Sequence, residues 1–182
     1  MLALTLAACA TLSSPPDPRV AELQAMADAT AKAYKKWFTP RVIIEAPTSG
    51  AGASYLYQGM YDRISVHPNV LKSPNARAVM AHELGHYVLG HHATSYVGAY
   101  DRERDANAKG VEIMVRLGMD EDEALRRMHA LLVAIYRFQA RTDRSPSPGH
   151  SPCAEIVDLL KRFPKWRDAI PSDERLDGCM PD

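Results

Sequence analysis

Hydrophobic residues recur at helical spacing over the first predicted element, Asp17–Phe38. Apolar side chains stand three or four residues apart in this segment, Pro18 lies near the first turn, and Pro40 marks the end of the helix. The pattern then changes to short β-branched or alternating stretches, which are typical of strands. The predicted strands cover Arg41–Ala46, Ser54–Tyr57 and Asp62–His67.

Helical spacing returns after the last of these strands. Ser73 and Pro74 suit the N-cap and the first position of a second helix, which Gly90 is expected to end. A third helix is predicted from about Asp101 to Gly118.

Two more helices are predicted in the rest of the chain. The fourth begins at a capping box in Asp120–Glu123, and its apolar face is formed by Leu125, Met128, Leu132, Ile135 and Phe138. After a loop at Arg144–Pro152, an amphipathic helix covers Cys153–Phe163 and an irregular tail follows. This order predicts an α+β fold with a small antiparallel or mixed sheet beside a helical bundle.

The composition is that of an ordinary globular protein. A length of 182 residues fits one domain, and the 22 basic and 22 acidic side chains cancel. The sequence shows neither a basic patch typical of nucleic-acid binding nor a basic helix typical of lipid headgroup binding. We therefore expect no nucleic-acid partner.

His82 and His86 lie four residues apart in the second predicted helix, so both imidazoles project from one face. This spacing lets both bind one zinc ion at about 2.0–2.1 Å without bending the helix. Glu83 is turned about 100° around the axis and can instead reach a metal-bound water. Zinc lowers the pKa of such a water and the carboxylate takes its proton, as a hydrolase requires. An ordinary surface helix with two histidines is the alternative.

A catalytic zinc usually has three protein ligands, and two residues compete for the third position. His92 lies where the pattern H-E-x-x-H-x-x-G-x-x-H would place another histidine, but that pattern requires glycine where the chain has Leu89. Glu103 stands at the start of the third helix, on the same face as Asn107. Because Glu103 can bind the ion while Asn107 hydrogen-bonds a ligand histidine from behind, we favour Glu103 over His92.

Three segments together resemble the HtpX-like gluzincin peptidases. They are A-H-E-L-G-H-Y-V-L-G-H at Ala81–His91, the Glu-x-x-Ala-Asn run that begins at Glu103, and the turn at Leu117–Asp120. That family includes bacterial periplasmic metallopeptidases and the CaaX prenyl proteases. The resemblance implies a zincin-like fold, peptide-bond hydrolysis and Glu103 as the third ligand.

The chain departs from the family pattern at several positions. Asn107 replaces the usual aspartate, Arg104 replaces an aromatic residue, and the interval from His86 to Glu103 is short. Short intervals are closer to the minigluzincins, which are compact single-domain relatives. His91 matches a further family histidine that is usually structural.

The resemblance also implies roles for two other segments. Gly149–Ile156 is similar to a family segment whose histidine lies near the metal, so His150 would regulate access or stabilise the oxyanion. An ordinary loop histidine is the alternative. In gluzincins an exposed strand pairs with the extended substrate, and Asp62–His67 is the candidate here.

The N-terminus resembles a bacterial lipoprotein signal, since a short apolar run ends in Leu-Ala-Ala-Cys at Cys9. The resemblance implies acyl chains on Cys9 and a tether at Thr11–Pro18, although no Lys or Arg precedes the apolar run. Cys153 and Cys179 would then remain as a disulfide pair in an oxidising compartment. Two unrelated thiols in a cytosolic protein are the alternative.

We therefore expect a truncated lipoprotein signal and tether at residues 1–18 and a single metallopeptidase domain at residues 19–182. The expected activity is zinc-dependent cleavage of protein or peptide substrates, in an enzyme that is lipid-anchored at the bacterial cell envelope and faces the periplasm. A zinc-binding envelope lipoprotein without activity and a regulatory peptidase of the ImmA/IrrE-like type are the alternatives. The expected catalytic residues are Glu83 and His150, and the expected metal ligands are His82, His86 and Glu103.

Overall fold

The computed structural model describes residues 17–45, 53–56, 62–91, 99–142, 150–176 and residue 179. Six α-helices and one three-stranded sheet form this part of the chain. The helices are α1 Pro18–Ala33, α2 Ala76–Leu89, α3 Ala99–Arg116, α4 Glu121–Thr142, α5 Pro152–Arg162 and α6 Pro164–Ala169. The strands are β1 Arg41–Ile44, β2 Ala53–Leu56 and β3 Arg63–Val66, and short 3₁₀ helices lie at Val70–Lys72 and Ser172–Glu174. The predicted α+β fold with a small mixed sheet beside helices is confirmed.

Strand β3 lies in the centre of the sheet. It pairs in parallel with β1, where Val42 is opposite Ile64, and antiparallel with β2, where Tyr55 is opposite the same residue. The prediction that the strand at Asp62–His67 is exposed and available to substrate is therefore wrong, because neighbouring strands occupy both of its edges. Within the described residues β2 pairs on one side only, so β2 is the edge strand.

Helix α1 is shorter than predicted. It ends at Ala33, because Lys35 adopts a left-handed φ of 51° and the N–H of Lys36 donates to the carbonyl of Ala31 at 2.9 Å. These are the features of a Schellman cap, which stops a helix. The prediction that the helix extends to Phe38 is wrong, because left-handed caps are usually formed by glycine and a lysine gives no such signal.

Helix α2 begins later than predicted and ends where predicted. The hydroxyl of Ser73 accepts the N–H of Asn75 at 3.1 Å, so Ser73 and Pro74 form a turn before the helix rather than its N-terminus. The helix itself begins at Ala76. Gly90 terminates it with a φ of 70°, as its sequence position indicates.

The connection from α3 to α4 follows the prediction. Gly118 has a φ of 97° after α3, and the carboxylate of Asp120 accepts the N–H groups of Asp122 and Glu123 at 2.9 and 3.3 Å.

Two features of the C-terminal helices differ from the prediction. Phe138, expected on the apolar face of α4, is 51% exposed, and α6 lies in the segment predicted to be irregular.

Helices α2 and α3 approach each other closely at Gly85. A Cβ at that position would lie 2.4 Å from the carbonyl oxygen of Ala106, so only glycine allows this distance. Glu103 lies almost one turn before Ala106, and His86 follows Gly85 directly. The close approach therefore brings the carboxylate of one helix next to the imidazole of the other.

Two hydrophobic clusters hold α2 from opposite sides. The first includes Ala81, Met114, Leu125, Met128, Leu132, Ile156, Leu160 and Trp166. The second includes Leu23, Val42, Ile64, Val66, Met80, Leu84 and Ile113. Because both clusters contain residues of α2, this helix is fixed between the sheet and the other helices.

A disulfide joins Cys153 to Cys179, with the two Cα atoms 4.9 Å apart. It fastens residue 179 to the first turn of α5. The pairing considered for these two cysteines is thus present in the structure. No helix within the described ranges is both long enough and apolar enough to cross a bilayer.

Candidate metal centre and active site

Three side chains converge at the contact between α2 and α3. The Nε2 atoms of His82 and His86 are 3.1 Å apart, and Oε2 of Glu103 lies 3.1 and 3.2 Å from them. Each of these side chains is only 11–15% exposed. We call His82, His86 and Glu103 the His–His–Glu triad, and within the described residues it is the one group of His, Cys, Asp or Glu side chains arranged to hold a metal ion.

Hydrogen bonds from behind orient both imidazoles of the triad. Nδ1 of His82 lies 2.8 Å from Oδ1 of Asn107, and Nδ1 of His86 lies 3.0 Å from Nδ1 of His91. Because the amide oxygen of Asn107 only accepts, Nδ1 of His82 carries a proton, which leaves Nε2 as the ring atom that can bind a metal ion. Such support fixes the tautomer that a metal ligand needs.

The triad fits a tetrahedral zinc ion. Ligands at about 2.0–2.2 Å around such an ion are separated from each other by roughly 3.3–3.6 Å. The observed separations of 3.1–3.2 Å are close to that range. Two imidazole nitrogens and one carboxylate oxygen form the ligand set of one class of catalytic zinc site, which leaves a fourth position open.

The charges around the triad favour a cation. Burial by itself lowers the pKa of His82, but a hydrogen bond to Glu103 and the charges of Glu83, Glu103 and Glu155 outweigh it and raise the value to about 9. Burial raises the pKa of Glu103, and its hydrogen bonds with His82 and His86 lower it well below the usual range. Without a metal ion, the site thus retains a proton between imidazole and carboxylate at neutral pH.

Glu83 lies beside the triad and is held by the edge strand. It is 7% exposed, and its Oε2 accepts the backbone N–H of Tyr55 in β2 at 2.6 Å. The bond fixes one oxygen of the carboxylate beside the triad. Glu83 therefore connects the helix that carries the two histidines to the edge strand β2.

The structure brings His150 to the same site. Its Nε2 lies 3.5 Å from Oε2 of Glu103, and its ring centroid lies 6.1 Å from that of His82. Burial lowers the pKa of His150, but a hydrogen bond with Glu155 raises it above the usual value. The structure therefore places His150 near the triad, and a functional role for it stays a prediction.

Glu155 is a site residue that the sequence did not reveal. Its side chain is buried, Oε2 accepts Nδ2 of Asn107 at 2.8 Å, and Oε1 accepts the N–H of Ser151 at 2.9 Å. Its carboxylate also lies 3.5 Å from Nδ1 of His150. Glu155 lies in the first turn of α5, and nothing in the local sequence connects it to Asn107.

Asn107 uses both ends of its side-chain amide in this network. Asn107 accepts from His82 with its oxygen and donates to Glu155 with its nitrogen, both at 2.8 Å. An aspartate could accept from His82 but would place a second carboxylate against Glu155. Asparagine at position 107 therefore serves both partners without placing two carboxylates against each other.

A cavity of about 470 Å³ opens next to His82 and Glu83. Polar residues, among them His150 and Glu155 of the site, form part of its lining, and apolar residues form the rest, including Phe138 with half of its side chain exposed. Apolar lining residues include Val70, Val79, Leu131, Leu132 and Ile135.

His92, the competing candidate for third ligand, lies outside the described residues. The choice between it and Glu103 therefore rests on the geometry of Glu103, which places an oxygen at 3.1 and 3.2 Å from both histidine nitrogens.

A family model described as Peptidase family M48 matches residues 19–145, well over half of the chain. The matched span contains the triad and Glu83, and it ends before His150 and Glu155. No curated protein and no solved structure matches the chain.

Proposed function

Because this chain belongs to peptidase family M48, we propose that it is a zinc-dependent endopeptidase with the His–His–Glu triad as its zinc site and Glu83 as its general base. Family membership makes it a metallopeptidase; the identity of the metal and the roles of individual residues are our proposal. The observation that carries it is the convergence of Nε2, Nε2 and Oε2 within 3.2 Å, with Glu83 alongside.

The side chains divide the proton transfers between them. The triad would hold a zinc ion, which would supply Lewis-acid activation of water and of the substrate carbonyl. Glu83, held by the N–H of Tyr55 at 2.6 Å, accepts the proton of the attacking water and passes it to the leaving amine. His150, on the Glu155 side of the site, donates a hydrogen bond to the carbonyl oxygen as its charge develops.

We place the substrate along β2. This strand pairs with β3 on one side, and its backbone already contacts Glu83 through Tyr55. An extended peptide added to such an edge gains main-chain hydrogen bonds without strong sequence demands. The backbone N–H groups of an extended peptide point alternately to its two sides. If single backbone nitrogens of a peptide substrate are methylated one at a time, only every second methyl group should therefore reduce cleavage. A uniform effect along the peptide would argue against strand addition.

The cavity beside Glu83 adds selectivity for one residue next to the scissile bond. Its volume of about 470 Å³ and the aliphatic part of its lining, Val70, Val79, Leu131, Leu132 and Ile135, favour leucine, methionine or phenylalanine at that position. Ile135→Trp should narrow the cavity and shift the preference to smaller side chains, as read from cleavage sites in casein by mass spectrometry. An unchanged preference would remove the cavity from the substrate site.

We propose that the enzyme acts on envelope proteins and is anchored through acylated Cys9. The disulfide between Cys153 and Cys179 supports this location, since disulfides persist in oxidising compartments. Incorporation of labelled fatty acid into the chain, and its absence in Cys9→Ala, tests the anchor. Labelling that persists in Cys9→Ala would refute it.

The substitution Glu83→Gln tests the catalytic proposal. Glutamine can still accept the N–H of Tyr55 but cannot take a proton, so peptide cleavage should fall by about 10²–10⁴-fold while zinc content stays unchanged. Glu22→Gln, at an exposed glutamate that pairs with Arg77, is the matched control and should retain full activity. Zinc-loaded Glu83→Gln with wild-type cleavage would overturn the mechanism.

A further inference from the structure

The connection from α1 to β1 exposes two adjacent aromatic side chains. Trp37 is 94% exposed and Phe38 is 55% exposed. Large aromatic residues are normally covered, and a neighbouring pair at the surface indicates a contact site. The sequence pattern hid this pair, because the apolar spacing placed Phe38 on the inner face of a predicted helix.

The exposure is imposed by a fixed backbone. The left-handed Lys35 turns the chain out of α1, and the carbonyl of Phe38 accepts the hydroxyl of Tyr87 in α2. Further along, the side chain of Gln24 bonds the carbonyl of Pro40 at 3.3 Å and the N–H of Val42 at 2.9 Å. Hydrogen bonds therefore hold the segment on both sides of the aromatic pair.

The surroundings of the pair are basic. Residues 32–41 contain Lys32, Lys35, Lys36 and Arg41 and no acidic residue, in a chain whose total charge is zero. Arg116 of α3 lies over the start of this segment, with its guanidinium donating to the carbonyl of Ala33. None of the four basic side chains of the segment has an acidic partner among the described residues.

We propose that Trp37 and Phe38, together with Lys32, Lys35, Lys36 and Arg41, form a contact site for a bilayer surface that carries anionic lipid headgroups. Tryptophan prefers the boundary between headgroups and acyl chains, where its ring is apolar and its N–H remains hydrated. Each lysine or arginine near an anionic surface strengthens binding roughly fivefold. This contact is separate from an acyl chain on Cys9 and from the peptidase site.

The protein carries its own reporter for this contact. It has two tryptophans, and the second, Trp166, is 5% exposed inside the helical cluster. Changes in emission on membrane binding therefore come from Trp37. The full chain with Cys9→Ser, which cannot be acylated, is mixed with phosphatidylcholine vesicles that contain or lack phosphatidylglycerol.

We expect the emission of Trp37 to shift to shorter wavelength with phosphatidylglycerol vesicles and to be quenched by brominated acyl chains. Trp37→Ser/Phe38→Ser should weaken sedimentation with these vesicles at least about tenfold. Lys35→Glu/Lys36→Glu should weaken it by more than about 25-fold and remove the dependence on phosphatidylglycerol. Tyr100→Ser, which changes an aromatic residue that is 54% exposed elsewhere, is the matched control and should bind as the parent does.

Cleavage of a soluble peptide by each variant verifies that the fold is intact, since none of these side chains belongs to the proposed active site. Two results would overturn the proposal. One is absence of sedimentation with vesicles of either composition, which would leave a protein partner as the occupant of the patch. The other is sedimentation with unchanged emission of Trp37, which would assign membrane binding to the N-terminal apolar segment.

Discussion

Asn107→Asp tests whether the buried network behind the triad works as a donor–acceptor chain. Asn107 and Glu155 are 1% and 3% exposed, and the amide nitrogen of one donates to the carboxylate of the other at 2.8 Å. Aspartate keeps the acceptor for His82 but loses this donor. Two buried carboxylates then face each other at hydrogen-bond distance, and one of them has to hold a proton.

The sign of the pH effect follows from that proton. Repulsion raises the pKa of the carboxylate pair in the folded state above the unfolded value of about 4. The variant should therefore be as stable as the parent near the unfolded pKa and should lose stability as pH rises through the raised pKa. Leaving a buried charge without its partner costs about 3 kcal/mol, which for a chain of this length lowers Tm by roughly 6–12 °C.

The matched rescue is Asn107→Asp/Glu155→Gln. Glutamine at 155 can donate to the new aspartate and still accept the N–H of Ser151, which now lies 2.9 Å from Oε1 of Glu155. Thermal melts of the zinc-loaded proteins, followed by circular dichroism from mildly acidic to mildly basic pH, should show most of the lost stability restored. The reasoning is refuted if the single variant melts like the parent at basic pH, or if the double variant is no better than the single one.

Three further predictions follow from the packing and the charges. Gly85→Ala should separate α2 from α3, because its Cβ would lie 2.4 Å from the oxygen of Ala106. We expect the free energy of unfolding to fall by about 1–3 kcal/mol and zinc binding to weaken. A thermal melt and a zinc titration with wild-type values would contradict this. Replacing both Cys153 and Cys179 by serine should lower the free energy of unfolding by about 3–4 kcal/mol, because the disulfide closes a loop with a sequence separation of 26. An unchanged midpoint of urea unfolding would contradict this. Zinc binding to the metal-free protein near neutral pH should release about one proton, because His82 with its pKa of about 9 has to lose it. The affinity for zinc should then fall as pH drops below about 9. Calorimetry in buffers of different ionisation enthalpy measures the number of protons released, and a value of zero would contradict this prediction.

The sequence predicted those parts of the site that depend on local periodicity. His82, Glu83 and His86 share one helix, so their relative positions follow from its geometry once the helix is recognised. Glu103 was reachable in the same way, because Asn107 four residues later marks the face that has to meet the histidines. Gly90 ended the helix as its position indicated.

The parts that failed depend on contacts between distant segments. The order of the strands places β3 in the centre, and no local pattern carries that order. Glu155 joins the site through Asn107, 48 residues earlier in the chain. The end of α1 was missed because the left-handed residue of its cap is Lys35 rather than glycine.

The zinc content of the purified chain and of its Glu103→Gln variant tests the central claim most directly. The His–His–Glu triad predicts about one zinc per chain in the parent and its loss in the variant, since two imidazoles alone bind the ion too weakly to survive purification. Glu112→Gln, at an exposed position of the same helix, should keep its zinc. Full retention of zinc in Glu103→Gln, or its absence from the parent, would contradict the assigned site.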